Sequence, residues 1–129
     1  TGYTTNNPSF SSTAIGTMNG HEAEKIAATY LQQLSLILIT QNYRCRFGEI
    51  DLIMQDNNTL VFVEVRMRTR DTFGGAASSI TPTKQAKLLR TARHYLAEID
   101  NDPPCRFDVI LLSGINGQKI DWIQNAFGE

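Results

Sequence analysis

Asp51 and Glu64 stand near the middle of two runs that otherwise favour buried β-strands, Gly48-Glu49-Ile50-Asp51-Leu52-Ile53 and Leu60-Val61-Phe62-Val63-Glu64-Val65-Arg66. A lone carboxylate inside a buried strand is costly and tends to change its pKa rather than stay charged. Two acids on neighbouring strands can instead share a divalent cation, which turns the cost into a site. Arg66 lies two residues beyond Glu64, so strand alternation puts both side chains on one face. Glu64 can then hold a cation while Arg66 meets a phosphate or the charge that develops on an attacked phosphodiester. Mg²⁺ suits so small a ligand set, because it keeps waters and takes substrate phosphate oxygens. A plain Glu–Arg or Asp–Arg ion pair lining an exposed sheet face is the alternative reading of such a short pattern.

The elements that must position these residues follow from pattern. Ala23, Ile26, Ala27, Tyr30, Leu31 and Leu34 recur at helical spacing and predict a helix over about Glu22–Gln33. Glu24 borders this stripe, where a first-turn acid also suits the helix dipole. Asn19-Gly20 reads as a turn before it. Leu36–Ile39 predicts a short strand, Asn42–Phe47 a polar and basic connection, and Glu49–Gln55 a second strand. Asp56-Asn57-Asn58 marks a hairpin into a third strand, Thr59–Met67. A small-residue loop with Gly74-Gly75 follows. Thr81 and Pro82 then supply the N-cap and first position of a second helix running to about Glu98. Ala86, Leu89, Ala92 and Leu96 form its apolar side. Cys105–Leu112 predicts a strand, Asn116-Gly117 a turn and Lys119–Ile123 an edge strand. The order α-β-β-β-α-β-β implies an α/β or α+β domain with a central mixed sheet flanked by helices. Residues 1–17 read as a flexible tail and 18–129 as one domain.

Composition bounds the rest. A chain of 129 residues, 41% hydrophobic and 19% charged, fits one soluble domain, and no apolar run is long enough to span a bilayer. The first residues lack the basic flank and apolar core of a signal peptide. Cys45 and Cys105 have no C-x-x-C spacing and read as free thiols of a reducing compartment, so a cytoplasmic location is expected. Net charge is −1, but residues 44–93 carry nine bases against five acids, and the remainder three bases against eight acids. Positive charge therefore gathers around the two candidate ligands and suits a polyanion. A solvated helix face with a few surface arginines is the plainer account of charge alone.

In order along the chain stand Gly20, Ala23-Glu24, Ala27, Tyr30-Leu31, Asn42, Arg44, the string Gly48 to Ile53, and Val61-Phe62-Val63-Glu64-Val65-Arg66 with Arg68. Phe73-Gly74, Thr81-Pro82, Lys84-Gln85, Leu88, Ala92, Tyr95-Leu96 and Arg106-Phe107-Asp108-Val109 follow. This set resembles the YraN family of uncharacterised bacterial proteins over about Gly20–Leu112. That family is similar to archaeal Holliday-junction resolvases of the PD-(D/E)XK nuclease superfamily. The resemblance implies a restriction-endonuclease-like fold. It implies Asp51, Glu64 and the Val65 carbonyl as ligands of Mg²⁺ or Mn²⁺. It places Glu24 in the acidic cluster or against a bound water, Arg66 at the position of the usual catalytic lysine, and Lys84 and Gln85 near the scissile phosphate. The function implied is a metal-dependent endonuclease acting on DNA rather than RNA, with branched or recombining DNA as substrate and a homodimer by analogy.

Arginine stays protonated and cannot act as a general base, whereas lysine can. Lys84 is a candidate for that role, and the alternative function is a nucleic-acid-binding module with weak or no turnover. A third reading is an interaction protein whose basic stripe meets an acidic partner. Arg44, Arg46, Arg68 and Lys87 are candidate phosphate contacts. Glu49 reads as a solvated rim acid, His21 and His94 as surface or helix-end residues, Asp108 as a structural partner of Arg106, and Tyr43 and Phe73 as packing rather than base-stacking groups.

Overall fold

Asn19 opens the first helix as its N-cap rather than forming a turn. Its side chain accepts from the Glu22 amide at 2.8 Å, and Glu22 returns the bond to the Asn19 amide at 3.1 Å. Two otherwise unpaired donors are thereby satisfied reciprocally, which moves the helix start to Gly20. The computed structural model describes residues 19–67, 80–114 and 118–128. The expected tail, Arg68, the loop with Phe73 and Gly74-Gly75, and the Asn116-Gly117 turn lie outside the described residues.

The described elements are α1 (Gly20–Gln33), β1 (Ile37–Cys45), β2 (Gly48–Asp56), β3 (Thr59–Met67), α2 (Pro82–Ile99), β4 (Cys105–Ser113) and β5 (Lys119–Phe127). The strands form one five-stranded sheet in the order β1-β2-β3-β4-β5. β3 and β4 are parallel, with α2 in the chain between them, and every other pair is antiparallel. The domain is therefore α+β with a mixed sheet. Ala23, Ala27, Ala28 and Leu31 of α1 bury one sheet face over Leu52, Met54, Val61, Val63, Ile110 and Leu112. Leu88 and Ala92 of α2 cover the other face over Ile50, Ile53, Phe62, Phe107, Val109 and Leu111. No helix among the described residues is long and apolar enough to cross a membrane. Cys45 and Cys105 are free thiols.

Three expectations change. The polar stretch after Ile39 is not a connection. It continues β1 to Cys45 because its backbone pairs with β2 at Gln41↔Leu52, Tyr43↔Ile50 and Arg44↔Glu49. Side-chain polarity on an edge strand does not prevent ladder bonds. Leu34 caps α1 and is 47% exposed, so the buried stripe ends at Leu31 and takes in Ala28. β5 runs four residues further than expected, to Phe127, because its second half is fastened to Asp108. That carboxylate, 0% exposed, accepts from the Arg106 Nε, the Trp122 indole N–H at 2.9 Å and the Asn125 amide at 2.9 Å.

The second helix begins as expected. Thr81 caps α2 by accepting from the Lys84 amide at 3.1 Å, with Pro82 in its first turn. Its buried centre is Leu88, Thr91 and Ala92, with Leu89 and Leu96 at the margin. Thr91 Oγ1 would stand 3.1 Å from a Cβ at Gly48, whose φ is +148°. Gly48 thus lets α2 lie directly on the end of β2.

Candidate metal centre

The ladder between β2 and β3 runs from Asp56↔Thr59 to Leu52↔Val63 and stops there. Asp51 and Glu64 are the next pair in register, at the point where the strands part. The pleat of β2 also slips here. Ile50 packs in the α2 core, yet Leu52 and Met54 pack in the α1 core. Strict alternation, which would put Glu49 and Asp51 on one face, fails at this residue. Opposite it on β1, Asn42 takes a left-handed φ of 51°. The Asp51 side chain replaces a ladder carbonyl: its Oδ2 accepts the Val65 main-chain N–H at 2.9 Å. This fixes the carboxylate in the gap between the two strands.

Carboxyls reach that gap from both sides of the sheet. Glu64 follows Phe62 by two residues and faces α2, where its Oε2 lies 3.6 Å from Lys84 Nζ and 3.4 Å from Arg66 Nε. Its side chain is only 7% exposed. Burial first, and then the negative charge of Asp51, push the Glu64 carboxyl up to about 7, with Lys84 and Arg66 pulling the other way. Glu24 comes from α1, on the opposite face. Its carboxyl is also raised, by burial and then by Asp51, against the lowering influence of the Asn42 side chain. Asp51 is the shared member: its charge acts on both glutamates.

Two buried atoms are left over. Glu24 Oε1 and Arg66 Nε have no hydrogen-bond partner among the described residues. At 3.4 Å, Arg66 Nε attracts Glu64 by charge without an aligned hydrogen bond. An orphaned oxygen on one of two carboxyls that burial and the Asp51 charge both push upward is the environment that a cation relieves. Among the described residues no three His, Cys, Asp or Glu side chains form a ready-made metal-binding group. The side-chain donors at the gap are sparse: Asp51 and Glu64, with Glu24 from the other face. Such a set fits Mg²⁺ or Mn²⁺, which complete their shells with water and phosphate oxygens, rather than a fully caged ion.

The other candidates divide. Gln85 donates its amide Nε2 to the Ile80 carbonyl at 2.9 Å and braces the chain as it enters α2. Arg44 pairs with Glu49 at 3.2 Å on the exposed edge, with side chains 74% and 49% exposed. Arg46 lies over the Phe47 ring. Lys87 is exposed on the turn of α2 after Lys84. Asn42 entered the sequence reading only as part of the family resemblance, with no role, and Phe47 entered it with none. An Asn amid a basic stretch was the local signal for the first, and nothing marked the second. His94, read as a surface residue, has partners: its Nδ1 lies 2.8 Å from the Tyr43 hydroxyl, which donates to Glu98 Oε1 at 2.6 Å.

A model of the uncharacterised protein family UPF0102 matches residues 23–112. The UPF0102 protein of Nitrosomonas eutropha is 66% identical over 110 residues, 85% of this chain and 93% of the relative. That of Nitrosomonas europaea is 62% identical over 110 residues, again 85% and 93%. That of Cupriavidus necator is 47% identical over 126 residues, 95% of this chain and 94% of the relative. The matched span holds all the candidate residues of the gap, and these names carry no activity.

Proposed function

Because the chain belongs to the uncharacterised protein family UPF0102, whose name assigns no activity, we propose its function from the site itself: metal-dependent hydrolysis of DNA phosphodiester bonds. The observation that carries this reading is the meeting of Asp51 and Glu64 where β2 and β3 part, with Lys84 and Arg66 at one Glu64 oxygen. Asp51 and Glu64 would hold Mg²⁺ or Mn²⁺, with the Val65 carbonyl as a third donor. When bound, such an ion would lower the pKa of a bound water and offset phosphate charge.

The residues do the rest. Arg66 keeps its charge at every working pH and holds a phosphate oxygen. Lys84 sits at the same carboxylate and is the residue type suited to the part that an arginine cannot play. Glu24, with a bare buried oxygen beside Asp51, orients a water by accepting a hydrogen bond. Recognition rests on phosphates, supported by the bases Lys84, Lys87, Arg90 and Arg93 along α2. A second reading, DNA binding without turnover, is favoured by one feature. Arg66, 3.4 Å from Glu64, stays protonated and cannot serve as a general base, yet it can still bind a phosphate oxygen.

Incubating the protein with labelled linear and four-way-junction DNA decides between them. Cleavage that needs Mn²⁺ and stops with chelator is the expected result. Salt-sensitive retention without products under both conditions supports the second reading, and neither retention nor products removes both.

A further inference from the structure

The turn between β1 and β2 has two residues, Arg46 and Phe47, between the paired Cys45 and Gly48. Two-residue hairpin turns favour Asn, Asp and Gly, whose backbones tolerate the tight geometry. Neither Arg46 nor Phe47 takes a positive φ, so this turn accepts many residue types and does not itself call for an arginine and an aromatic. They are instead held in a definite arrangement. The Arg46 guanidinium lies 4.9 Å from the Phe47 ring centroid. The His94 ring meets Phe47 edge-on, with centroids 5.9 Å apart at 62°. His94 is itself tethered by Tyr43, and Tyr43 packs against Tyr95 with centroids 5.1 Å apart at 79°. Lys84, Lys87, Thr91 and His94 follow three- and four-residue spacing, so they share one face of α2. That face runs from Glu64, which Lys84 meets, to the hairpin tip, which His94 meets. Phe47 is four residues before Asp51, roughly 13 Å along a strand, or about four steps of stacked bases.

We propose that Arg46 and Phe47, backed by His94 and approached by Lys87, form a stacking site for an unpaired nucleotide of the DNA strand that enters the Asp51–Glu64 site. The inference rests on the DNA-cleaving reading and specifies its substrate: DNA with a single-stranded or splayed segment beside the cut. A planar base stacks on an aromatic ring or on a guanidinium plane, and Arg46 over Phe47 offers both. Lys87 supplies the charge complementary to the backbone. Bases paired within a duplex are stacked on both sides and present no open face to such a tip. Of the negative groups nearby, Glu49 pairs with Arg44, and Glu98 accepts from Tyr43 and lies 3.9 Å from His94 Nδ1.

Binding by fluorescence anisotropy in chelator, where no cleavage occurs, tests this. The probes are a blunt DNA duplex and the same duplex with an unpaired arm. The native chain should bind the armed duplex more tightly. Phe47→Leu, which keeps apolar bulk without a π-face, should weaken the armed complex roughly tenfold and leave the blunt one unchanged. Phe47→Trp should restore it. Equal affinity of the native chain for both probes, or a Phe47→Leu variant that loses nothing or loses both alike, overturns the proposal. The outcome is independent of turnover. A protein that prefers the armed probe but never cuts keeps the stacking site and loses the cleavage reading, while one that cuts with Phe47→Leu indistinguishable from native does the reverse.

Discussion

Asp51→Asn should abolish metal-dependent DNA cleavage, with a loss exceeding about 100-fold, while the protein stays folded. Outer partners of metal ligands are themselves worth about 10–100-fold, and Asp51 is the residue whose charge reaches both Glu24 and Glu64. The amide oxygen of Asn can still accept the Val65 N–H that Asp51 Oδ2 now takes at 2.9 Å, so the gap between β2 and β3 keeps its shape. Asp51→Ala removes both the charge and the acceptor. It should lose the same activity and, in addition, about 1–3 kcal/mol of stability from the stranded N–H. Cleavage rates and thermal melts of the two variants side by side separate charge from anchoring. Asn at native activity would show that the Asp51 charge plays no part.

Asp108→Ala should be the most destabilising single change in the described fold, by about 3–5 kcal/mol. Asp108 is fully buried and accepts from three donors, one on its own strand β4 and two on the edge strand β5. Arg106, whose other end meets Asp56 at 3.0 Å, would lose its buried counter-charge. Trp122 Nε1 and the Asn125 amide would lose their acceptor, and Asn125 holds a left-handed φ of 51° at an irregular point of β5. A calorimetric melt should fall by roughly 10–20 °C. A melting temperature within a few degrees of native would mean that β5 is held by its ladder and not by this carboxylate.

Much of this was readable from the residues. Thr81-Pro82, the Asn57 turn and the alternating valines of β3 are local signals that obey local rules, and the elements they predict are present. Asp108 was readable as a partner of Arg106, but not of Trp122 and Asn125, since a strand pattern carries no information about which neighbour lies alongside. The slip at Asp51 could not be read, because Ile50-Asp51-Leu52 looks like regular alternation. The irregularity arises from tertiary competition, with both cores claiming an apolar residue and the carboxylate taking the Val65 N–H. Glu24 was placed by resemblance alone, because a first-turn acid has an ordinary helix-dipole explanation. β1 misled because its polarity reflects an edge position rather than a loop.

Titration of isotopically labelled protein with Mn²⁺, followed by paramagnetic broadening of backbone amides, tests the meeting of Asp51 and Glu64 on one ion most directly. The broadening should centre on residues 51, 64 and 65, appear at low ion concentration and vanish in Asp51→Asn. Broadening spread over exposed acids such as Glu49 and Glu98, or unchanged in Asp51→Asn, would contradict a shared metal centre at the parting of β2 and β3.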